Sequence, residues 1–387
     1  MLRVLTLSTL YPDPGRPSFG IFVERQTLAL AAREGVEVEV VAAVGLPLWP
    51  LTRHPHYRAK AQLPAKERRQ GLAVHRPRFR IWPGFGGAGA ARALAAAVLP
   101  LARVLRIDVI DAEFFWPDGV AAMHLAEALG VPFSIKARGS DIHFWGRRPD
   151  VAAQIVEAGR KAAGLLAVSL ALKADMAAMG IPEEKIRVHY TGLDLERFRP
   201  GDRESARRKL GVDGPLIVVP GNLVPLKGHR LAIEALAELP EASLLIAGEG
   251  PERTALEALI ADRGLAPRAR LLGSVPPEAM PGLLGAADLM LLPSEREGLA
   301  NVWIESLACG TQLLISDVGG AREVLDRPEA GRLVAREPGA IAASAREMLA
   351  SPPDRAAVRR SAERFSWERN GAELHEHLAG LLPGEQS

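Results

Sequence analysis

The chain is poor in cysteine, in long apolar runs and in net charge, and each shortage excludes a class of protein. The single cysteine among its 387 residues, Cys309, excludes an internal disulfide and suits a reducing compartment. The longest Ala/Leu-rich tract, 88–105, is interrupted by Arg92, Pro100 and Arg103, whereas a membrane-spanning helix needs roughly 20 apolar residues. The formal net charge of +2 implies no general affinity for nucleic acid.

Several short motifs are missing as well. No Gly-x-Gly-x-x-Gly follows the first apolar run, which disfavours a dehydrogenase that uses a dinucleotide. His54 and His56 have no evident third ligand, so we expect no metal site there. The first apolar run is too short for a secretory signal, and we expect a cytoplasmic protein.

Short β-rich runs alternate with Ala/Leu-rich helical patterns along the chain. Most runs are apolar throughout, which indicates sheets covered on both faces, and the strand–helix alternation indicates parallel α/β units. Strands are predicted at 2–8, 36–44, 72–79, 108–114, 133–138, 165–169 and 186–190, and in a second series at 216–221, 243–248, 269–274, 288–294 and 312–317.

The polar, turn-rich segment 191–214 separates the two series. We therefore predict an α/β protein of two Rossmann-like parallel-sheet domains that face each other across a cleft. In such sheets ligands bind beyond the carboxyl ends of the strands, so the loops that follow strands are the ones of interest.

The segment 295–311, "EREGLANVWIESLACGT", carries the strongest chemical signal. A helix is predicted at about 301–309, with Asn301 as its cap. The free amides of Leu299, Ala300 and Asn301 would then point at the cleft, and such a helix start binds anions, phosphates above all.

Two acids flank this predicted anion site, Glu297 in the loop and Glu305 about one turn into the helix. Carboxylates repel phosphate but accept charge-assisted hydrogen bonds from hydroxyls, and a nucleotide sugar carries hydroxyls on both sides of its diphosphate. The alternative is that one acid interacts favourably with the helix dipole while the other is an ordinary surface residue.

The surrounding segment resembles the E-x7-E region of glycosyltransferase family 4, a large retaining family of fold type GT-B. The matching residues are Pro293, Ser294, Glu297, Gly298, Asn301, Glu305, Ala308 to Thr311, Gly319, Gly320 and Glu323. Segments 219–236, 246–252 and 271–294 extend the resemblance, and 8–31 resembles the subgroup of teichuronic-acid and exopolysaccharide assembly.

The resemblance implies the reaction class: transfer of a sugar from a nucleotide diphosphate to an acceptor, with retention of the anomeric configuration. Lys227 stands where the family has a cation for the donor diphosphate, whereas Asn222 replaces a usual arginine. Lys227 and the amides near 299–301 would stabilise the departing diphosphate. We find no Asp-x-Asp pair, and we expect neither a metal nor another cofactor.

Further donor contacts follow from the same resemblance. Glu305 would hold the ribose and Glu297 would orient the donor sugar, with Gly298 in the turn between them. The backbone between Gly273 and Val275 would hold the base, which we expect to be uracil or guanine.

In the first domain, a loop that ends near Gly20 would close over the donor. Arg138 takes the place of the histidine in the family's His-Gly-x-Asp motif, and with Asp141 it would face the acceptor or the donor sugar. Thr191 replaces an asparagine in the hinge motif.

The predicted domains are 1–195 on the acceptor side, 196–365 for the donor, and a C-terminal helix, 366–387, that returns to the first domain. Segment 51–80 is strongly basic, with Glu67 as its one acid. This favours a glycan or lipid-linked acceptor and peripheral contact with an anionic membrane; a solvated basic loop is the alternative.

Two other functions stay open at this point. A nucleotide-sugar epimerase or a phosphorylase-like enzyme would share the fold. The substitutions at Asn222, Arg138 and Thr191 would also suit a non-catalytic protein that binds nucleotides or glycans.

Overall fold

A computed structural model describes residues 1–82 and 89–382, and it divides into two compact units. Unit 1 consists of Met1–Gly192 with the C-terminal segment from Trp367, and unit 2 of Leu193–Ser366. Each unit is built on a parallel sheet with helices packed against it, which confirms the predicted α/β class. Within the described ranges, none of the helices combines the length and the apolar character needed to cross a membrane.

The strands of unit 1 match the predicted runs with few differences. They are β1 Leu2–Leu7, β2 Val36–Val41, β3 Val44–Leu46, β4 Lys66–Arg69, β5 Leu72–His75, β6 Arg78–Arg80, β7 Val109–Ala112, β8 Phe133–Ala137, β9 Gly164–Ala167 and β10 Ile186–Val188. The main sheet has the order β10-β9-β8-β7-β1-β2-β5-β4, in which β4 is antiparallel to β5, while β3 pairs with β6 in a separate small sheet.

The helices of unit 1 cover both faces of this sheet. They are α1 Ile21–Ala31, α2 Pro55–Ala61, α3 Ala90–Leu105, α4 Val120–Leu129, α5 Ser140–His143, α6 Pro149–Lys161, α7 Leu170–Ala178 and, at the C-terminus, α16 Trp367–Ala379. Neighbouring residues of β1 show the two faces: Val4 packs with residues of α1 and α16, whereas Leu5 packs with residues of α3 and α4. Burial on both faces is why the run is apolar throughout.

Unit 2 repeats the architecture on a smaller scale. Its strands are β11 Leu216–Pro220, β12 Ser243–Ala247, β13 Ala269–Gly273, β14 Leu289–Leu292, β15 Gln312–Ile315 and β16 Gly331–Leu333, in the order β13-β12-β11-β14-β15-β16. Its helices are α8 Arg203–Leu210, α9 His229–Leu236, α10 Arg253–Asp262, α11 Met280–Ala286, α12 Asn301–Ala308, α13 Ala321–Val324, α14 Pro338–Ala350 and α15 Arg355–Arg360.

Both sheets have a point where the strand order reverses. In unit 2 the chain moves outward from β11 to one side, then returns to start the other side at β14. In unit 1 the corresponding neighbours are β1 and β7. The loops that follow such central strands diverge and leave a crevice, which is where ligands bind in open α/β sheets.

Two strands were absent from the prediction, and two predicted runs are divided. The strand β4 has the polar sequence KERR and lies at the sheet edge, while β16 spans only three residues, so neither has an apolar signature. The run 36–44 covers β2 and the start of β3, and the run 72–79 covers β5 and most of β6. In each case the two strands belong to different sheets.

The C-terminal helix α16 packs closely on α1. A Cβ at Gly371 would lie 2.5 Å from the carbonyl oxygen of Ala29, so only glycine fits at this crossing. His377 adds a hydrogen bond of 2.8 Å between its Nε2 and the Oγ of Ser134 on β8.

We predict that Gly371→Ala destabilises unit 1 by roughly 1–3 kcal/mol through overpacking, despite a gain in helix propensity of about 1 kcal/mol. Gly282→Ala in α11 is the matched control, because beyond its chain neighbours and the backbone of its own helix no described atom lies within 4 Å of the added Cβ. Calorimetric unfolding midpoints should fall for the first variant and hold or rise for the second. An unfolding midpoint of Gly371→Ala equal to that of the wild type would show that the α1–α16 contact accommodates the added methyl group without loss of stability.

Candidate active site

The loops after β11 and β14 meet at the crevice of unit 2. The two strands are parallel neighbours, with Ile217 opposite Leu289, so their carboxyl ends deliver these loops side by side. The amide of Glu295 donates to the carbonyl of Leu226 at 2.7 Å. Gly228 has φ +73°, and a Cβ there would lie 2.4 Å from the carbonyl oxygen of Pro293.

This loop contact brings Lys227 and Glu297 together. The Nζ of Lys227 lies 2.5 Å from Oε1 of Glu297, and the Oγ of Ser294 donates to the same oxygen at 2.7 Å. The side chains are 20% and 11% exposed respectively, so the pair is largely buried but not sealed from solvent. The structure therefore joins two residues that lie 70 positions apart in the sequence.

A third loop, which follows β15 and contains Gly319 and Gly320, packs against the backbone of Glu297. The amide of Gly320 donates to the carbonyl of Gly298 at 2.7 Å. Gly319 has φ +51°, and a Cβ there would lie 2.3 Å from the carbonyl oxygen of Glu297. The Gly319–Gly320 step thus permits the close backbone approach that positions the Glu297 loop.

The cap residue of helix α12 lies one position earlier than predicted. It spans Asn301–Ala308 and its cap position is Ala300, so the expectation that Asn301 caps the helix is wrong. Asn301 is instead an exposed first residue. Within the described part of the chain, the amides of Leu299, Ala300 and Asn301 have no protein acceptor, as is usual at a helix start.

Sequence reasoning missed His229, the first residue of α9. Its side chain is fully buried, and neither ring nitrogen has a hydrogen-bond partner among the described residues. A Cβ at Gly221 would lie 3.9 Å from Nε2 of this ring, which places the imidazole beneath the loop after β11. Burial, and then the charge of Lys227, lowers the pKa of His229 to about 4, so the ring is neutral at pH 7. Its position directly after Lys227-Gly228 was the only available signal.

The other predicted donor residues are dispersed around these loops. Gly273, with φ +74°, ends β13, and a Cβ there would lie 2.8 Å from Oε1 of Glu249 in the loop after β12. Val275 lines a separate cavity of about 490 Å³ between α8 and α11. Asn222 is exposed in the loop after β11, and Glu305 is half-buried in the second turn of α12.

Cys309, which follows α12, is fully buried. Burial raises the pKa of its thiol to about 12, and the Glu305 carboxylate contributes in the same direction. The thiol is therefore protonated at neutral pH.

In unit 1 the structure gives Asp141 a different environment from the predicted one. The carboxylate is fully buried and accepts from the amides of Gly139 at 2.8 Å, Arg138 at 3.1 Å and Phe115 at 3.2 Å. Burial raises its pKa, against the effect of these amides. Asp141 thus joins the loop after β8 to the segment after β7, and its oxygens do not face an open site.

Arg138 is likewise engaged within unit 1. Its guanidinium forms an ion pair with the buried Glu113 and lies 4.6 Å from the ring centre of Phe22. Its Nε also donates to the carbonyl of Glu113 at 3.1 Å. The predicted contact of Arg138 with the acceptor or the donor sugar would therefore have to compete with Glu113.

This ion pair belongs to a buried polar network that reaches the C-terminal helix. The Nζ of Lys136 donates to Gln26 at 2.6 Å and lies 3.0 Å from Nδ1 of His189, whose Nε2 lies 2.9 Å from the carbonyl oxygen of Asn370. Burial, followed by the charge of Arg138, lowers the pKa of Lys136 to about 7. Burial and the charge of Lys136 also lower the pKa of His189.

Gly20 has a local structural reason for its identity. It caps α1 with φ +67°, and a Cβ there would lie 2.3 Å from the carbonyl oxygen of Leu10. The glycine allows the loop after β1 to fold back against the helix start.

The basic segment 51–80 is only partly a solvated loop. Arg69 pairs with Glu24, and the buried Arg76 pairs with Glu67 at 2.5 Å. Arg78 donates to backbone carbonyls, including that of Arg76 at 2.6 Å. Three of the basic side chains of this segment are therefore tied into the fold and are not available to a membrane.

The two histidines at 54 and 56 have a helix-capping geometry. Nδ1 of His54 accepts from the amide of His56 at 3.3 Å at the start of α2. Residues 1–82 and 89–382 contain no group of three or more His, Cys, Asp or Glu side chains arranged to hold a metal ion.

Family models match both halves of the chain. One described as Glycosyltransferase Family 4 matches residues 21–197, and one described as Glycosyl transferases group 1 matches residues 202–365. TuaC of Bacillus subtilis, assigned as a teichuronic acid biosynthesis glycosyltransferase, is 31% identical over 84% of this chain and 84% of its own length. A D-inositol 3-phosphate glycosyltransferase of Rhodococcus jostii is 36% identical over 51% of this chain and 48% of its own.

Among solved structures, HepE (Alr3699) of Anabaena in complex with UDP has a TM-score of 0.75. The match covers 98% of this chain and 100% of that one at 20% identity, which shows a common fold. The fold and the loops at the strand ends define a GT-B glycosyltransferase. The chain belongs to glycosyltransferase family 4, and its likeness to TuaC confirms the resemblance to the teichuronic-acid subgroup.

We predict that Lys227→Met raises the pKa of His229 above about 4, because one of its two depressing causes is removed. The pKa should stay below the ordinary 6.5, since burial remains. The proton NMR titration of the assigned ring would measure it, with Lys209→Met as the control.

The low pKa of His229 also has a consequence for stability. As the pH falls from 6.5 towards 4, only the unfolded chain binds this proton, so unit 2 should lose stability over that range.

For the titration of Lys227→Met, an unchanged pKa of His229 would contradict the proposed proximity of the two charges.

Proposed function

We propose that this glycosyltransferase uses a nucleotide-diphosphate sugar, bound by unit 2, and transfers its sugar with retention of configuration. The observation that carries the proposal is the cluster of Lys227, Glu297 and Ser294 at the crevice, next to three amides that have no acceptor among residues 1–82 and 89–382. A cation and open amides together form an anion site. Family membership supports a transferase over the epimerase and binding-protein alternatives.

Lys227 and the amides of 299–301 would stabilise the leaving diphosphate. As the glycosidic bond breaks, negative charge develops on the diphosphate oxygens, and preorganised donors lower the energy of that state. In the structure, Glu297 accepts a hydrogen bond from the Lys227 ammonium. A bound diphosphate would compete for Lys227, which frees the Glu297 carboxylate to accept from a hydroxyl of the donor sugar. This account assigns the charge neutralisation to the protein and needs no metal ion.

Glu305 would accept hydrogen bonds from the ribose hydroxyls. It lies in the second turn of α12, and the same helix presents the open amides at its start. One rigid helix would therefore set the separation between ribose and diphosphate. The likeness to HepE, whose structure holds UDP, supports a uridine donor, with a guanosine donor as the alternative.

We predict that Glu305→Ala weakens UDP binding at least about tenfold, since a charge-assisted hydrogen bond contributes roughly 1.5–3 kcal/mol. Calorimetric titration would measure the affinity, with Glu278→Ala, at an exposed position of the same unit, as the control.

Lys227→Met should lower turnover by roughly two orders of magnitude, whereas Lys209→Met should not. Normal UDP affinity in Glu305→Ala would contradict the role assigned to Glu305, and normal turnover in Lys227→Met would contradict the role assigned to Lys227. The anomeric proton coupling of the product would show whether configuration is retained.

The acceptor proposed here is a glycan or a lipid-linked glycan, reached from the cytoplasm. The role assigned to TuaC in teichuronic acid biosynthesis supports a part in polysaccharide assembly. Exposed apolar residues near segment 51–80 support contact with a membrane: Trp49 is 72% exposed, Leu51 51% and Trp82 63%. They lie at one end of the β3–β6 sheet, where the amide of Ile81 donates to the carbonyl of Leu46 at 3.1 Å.

The charge around this Trp49–Trp82 surface fits an anionic bilayer. The guanidinium of Arg53 lies 5.8 Å from the ring centre of Trp49, and Arg80 is exposed on β6. Tryptophan favours the membrane–water interface, and each basic residue near an anionic surface contributes about 1 kcal/mol.

We predict that the double variant Trp49→Ala/Trp82→Ala binds vesicles of phosphatidylcholine with phosphatidylserine several-fold more weakly than the wild type. Phe144→Ala, which removes an exposed aromatic residue elsewhere in unit 1, is the control. A vesicle flotation assay would measure the bound fraction. Unaltered flotation of the double variant would count against membrane contact through this surface.

A further inference from the structure

Unit 1 contains a cavity of about 340 Å³ at the carboxyl ends of its central strands. Thr9 and Tyr11 follow β1, Ala42 and Ala43 follow β2, and Pro117 follows β7, and all of them line it. Its place at the reversal of strand order is where open α/β sheets bind ligands, and its volume lies in the range of small-molecule sites. We propose that this cavity binds the acceptor through an anionic group, a phosphate or a carboxylate on a sugar-sized ring. The inference rests on the proposed function, because it names the acceptor class.

The charged lining of the cavity has one cation in excess. Arg16 pairs with Asp13 at 2.7 Å, and Arg76 pairs with Glu67 at 2.5 Å. Lys60, on α2, lines the same cavity and has no ion-pair or hydrogen-bond partner in the described part of the chain. One ammonium that no described residue pairs with, beside two paired guanidiniums, suits one anionic group.

The neighbourhood of Lys60 is electrostatically unfavourable until an anion enters. Burial lowers the pKa of Lys60, and the charge of Arg16 lowers it further, against a smaller opposing effect of Asp13. The charge of Lys60 in turn is the main cause that lowers the pKa of His56, followed by burial and Arg16. The charges of Lys60 and Arg16 therefore repel each other and disfavour protonation of His56, and a bound anion would relieve that repulsion.

Two deeply buried polar groups in the wall are also incompletely satisfied. The hydroxyl of Tyr11 and the Nε of Arg76 have no hydrogen-bond partner among the described residues, and both side chains are 2% exposed. Buried polar groups are normally paired, so these atoms are potential contacts for a ligand or for water bound with it.

The remaining wall is apolar and partly aromatic. Phe79, Ile81 and Trp145 line it together with Val44. Flat apolar side chains suit the less polar face of a sugar ring, while the cations select the charged substituent. The cavity is therefore built for an amphipathic ring with one negative charge rather than for a neutral glycan or a cation.

The test is a calorimetric titration with glucose 6-phosphate, with glucuronate and with neutral glucose, in the presence of saturating UDP. We expect both anionic rings to bind and glucose to bind far more weakly. Comparing the affinities for glucose 6-phosphate and glucuronate shows whether the site prefers a phosphate or a carboxylate. Lys60→Met should weaken anionic binding about tenfold or more, and Lys60→Arg should restore most of it.

Lys66→Met is the matched control, because Lys66 is an exposed lysine of the same basic segment that does not line the cavity. Anionic affinity that is equal in wild type and Lys60→Met, or that falls equally in Lys66→Met, would overturn the inference. UDP affinity, measured separately, should be unaffected by Lys60→Met and reduced by Lys227→Met. In the wild-type protein, absence of anionic binding together with intact UDP binding would refute this inference alone, whereas anionic binding without UDP binding would refute the proposed donor site alone.

Discussion

The parallel pairing of β11 with β14 is the interaction on which the donor-side chemistry depends. Their residues are almost completely buried, and the register sets Val218 opposite Met290. Because both strands run in the same direction, Lys227 and Glu297 emerge at one edge of the sheet. An ammonium and a carboxylate at 2.5 Å then form a polarised centre at a crevice, beside open amides of α12. Without that pairing, the same residues would be unrelated surface charges.

Close backbone approach keeps this centre in place. Gly228 lies against the carbonyl of Pro293, and Gly319 lies against that of Glu297. Any side chain at these positions would force the loops apart, since the missing Cβ atoms would lie 2.4 and 2.3 Å from those oxygens. Unit 1 achieves rigidity by another means, a buried network in which Arg138 and Glu113 form an ion pair. Removing one partner of such a pair typically costs about 3–5 kcal/mol, because the other charge stays buried alone.

Much of the fold could be predicted from the sequence, since apolar runs and helical patterns report burial directly. Every predicted run contains a strand, whereas β4 was missed because its KERR sequence is polar and β16 because it is short. The site could be predicted less well. The segment around Glu297 identified the donor region through family resemblance, but His229 gave no signal beyond its neighbours. Segment 51–80 showed its charge in the sequence, yet nothing there distinguished Arg76, which is buried and paired, from Lys60, which is half-buried and has no partner among the described residues.

The amino-acid sequence by itself determined the α/β class, the alternation of strands and helices, and the family, because these depend on local patterns and on motifs read along the chain. The tertiary structure alone decided which charges meet. Ion pairs such as Lys227 with Glu297 and Arg138 with Glu113 join residues 70 and 25 positions apart. It also decided which cation, Lys60, lines a cavity without a partner among the described residues. Whether a charge is paired depends on strand order and loop packing, which no local pattern encodes.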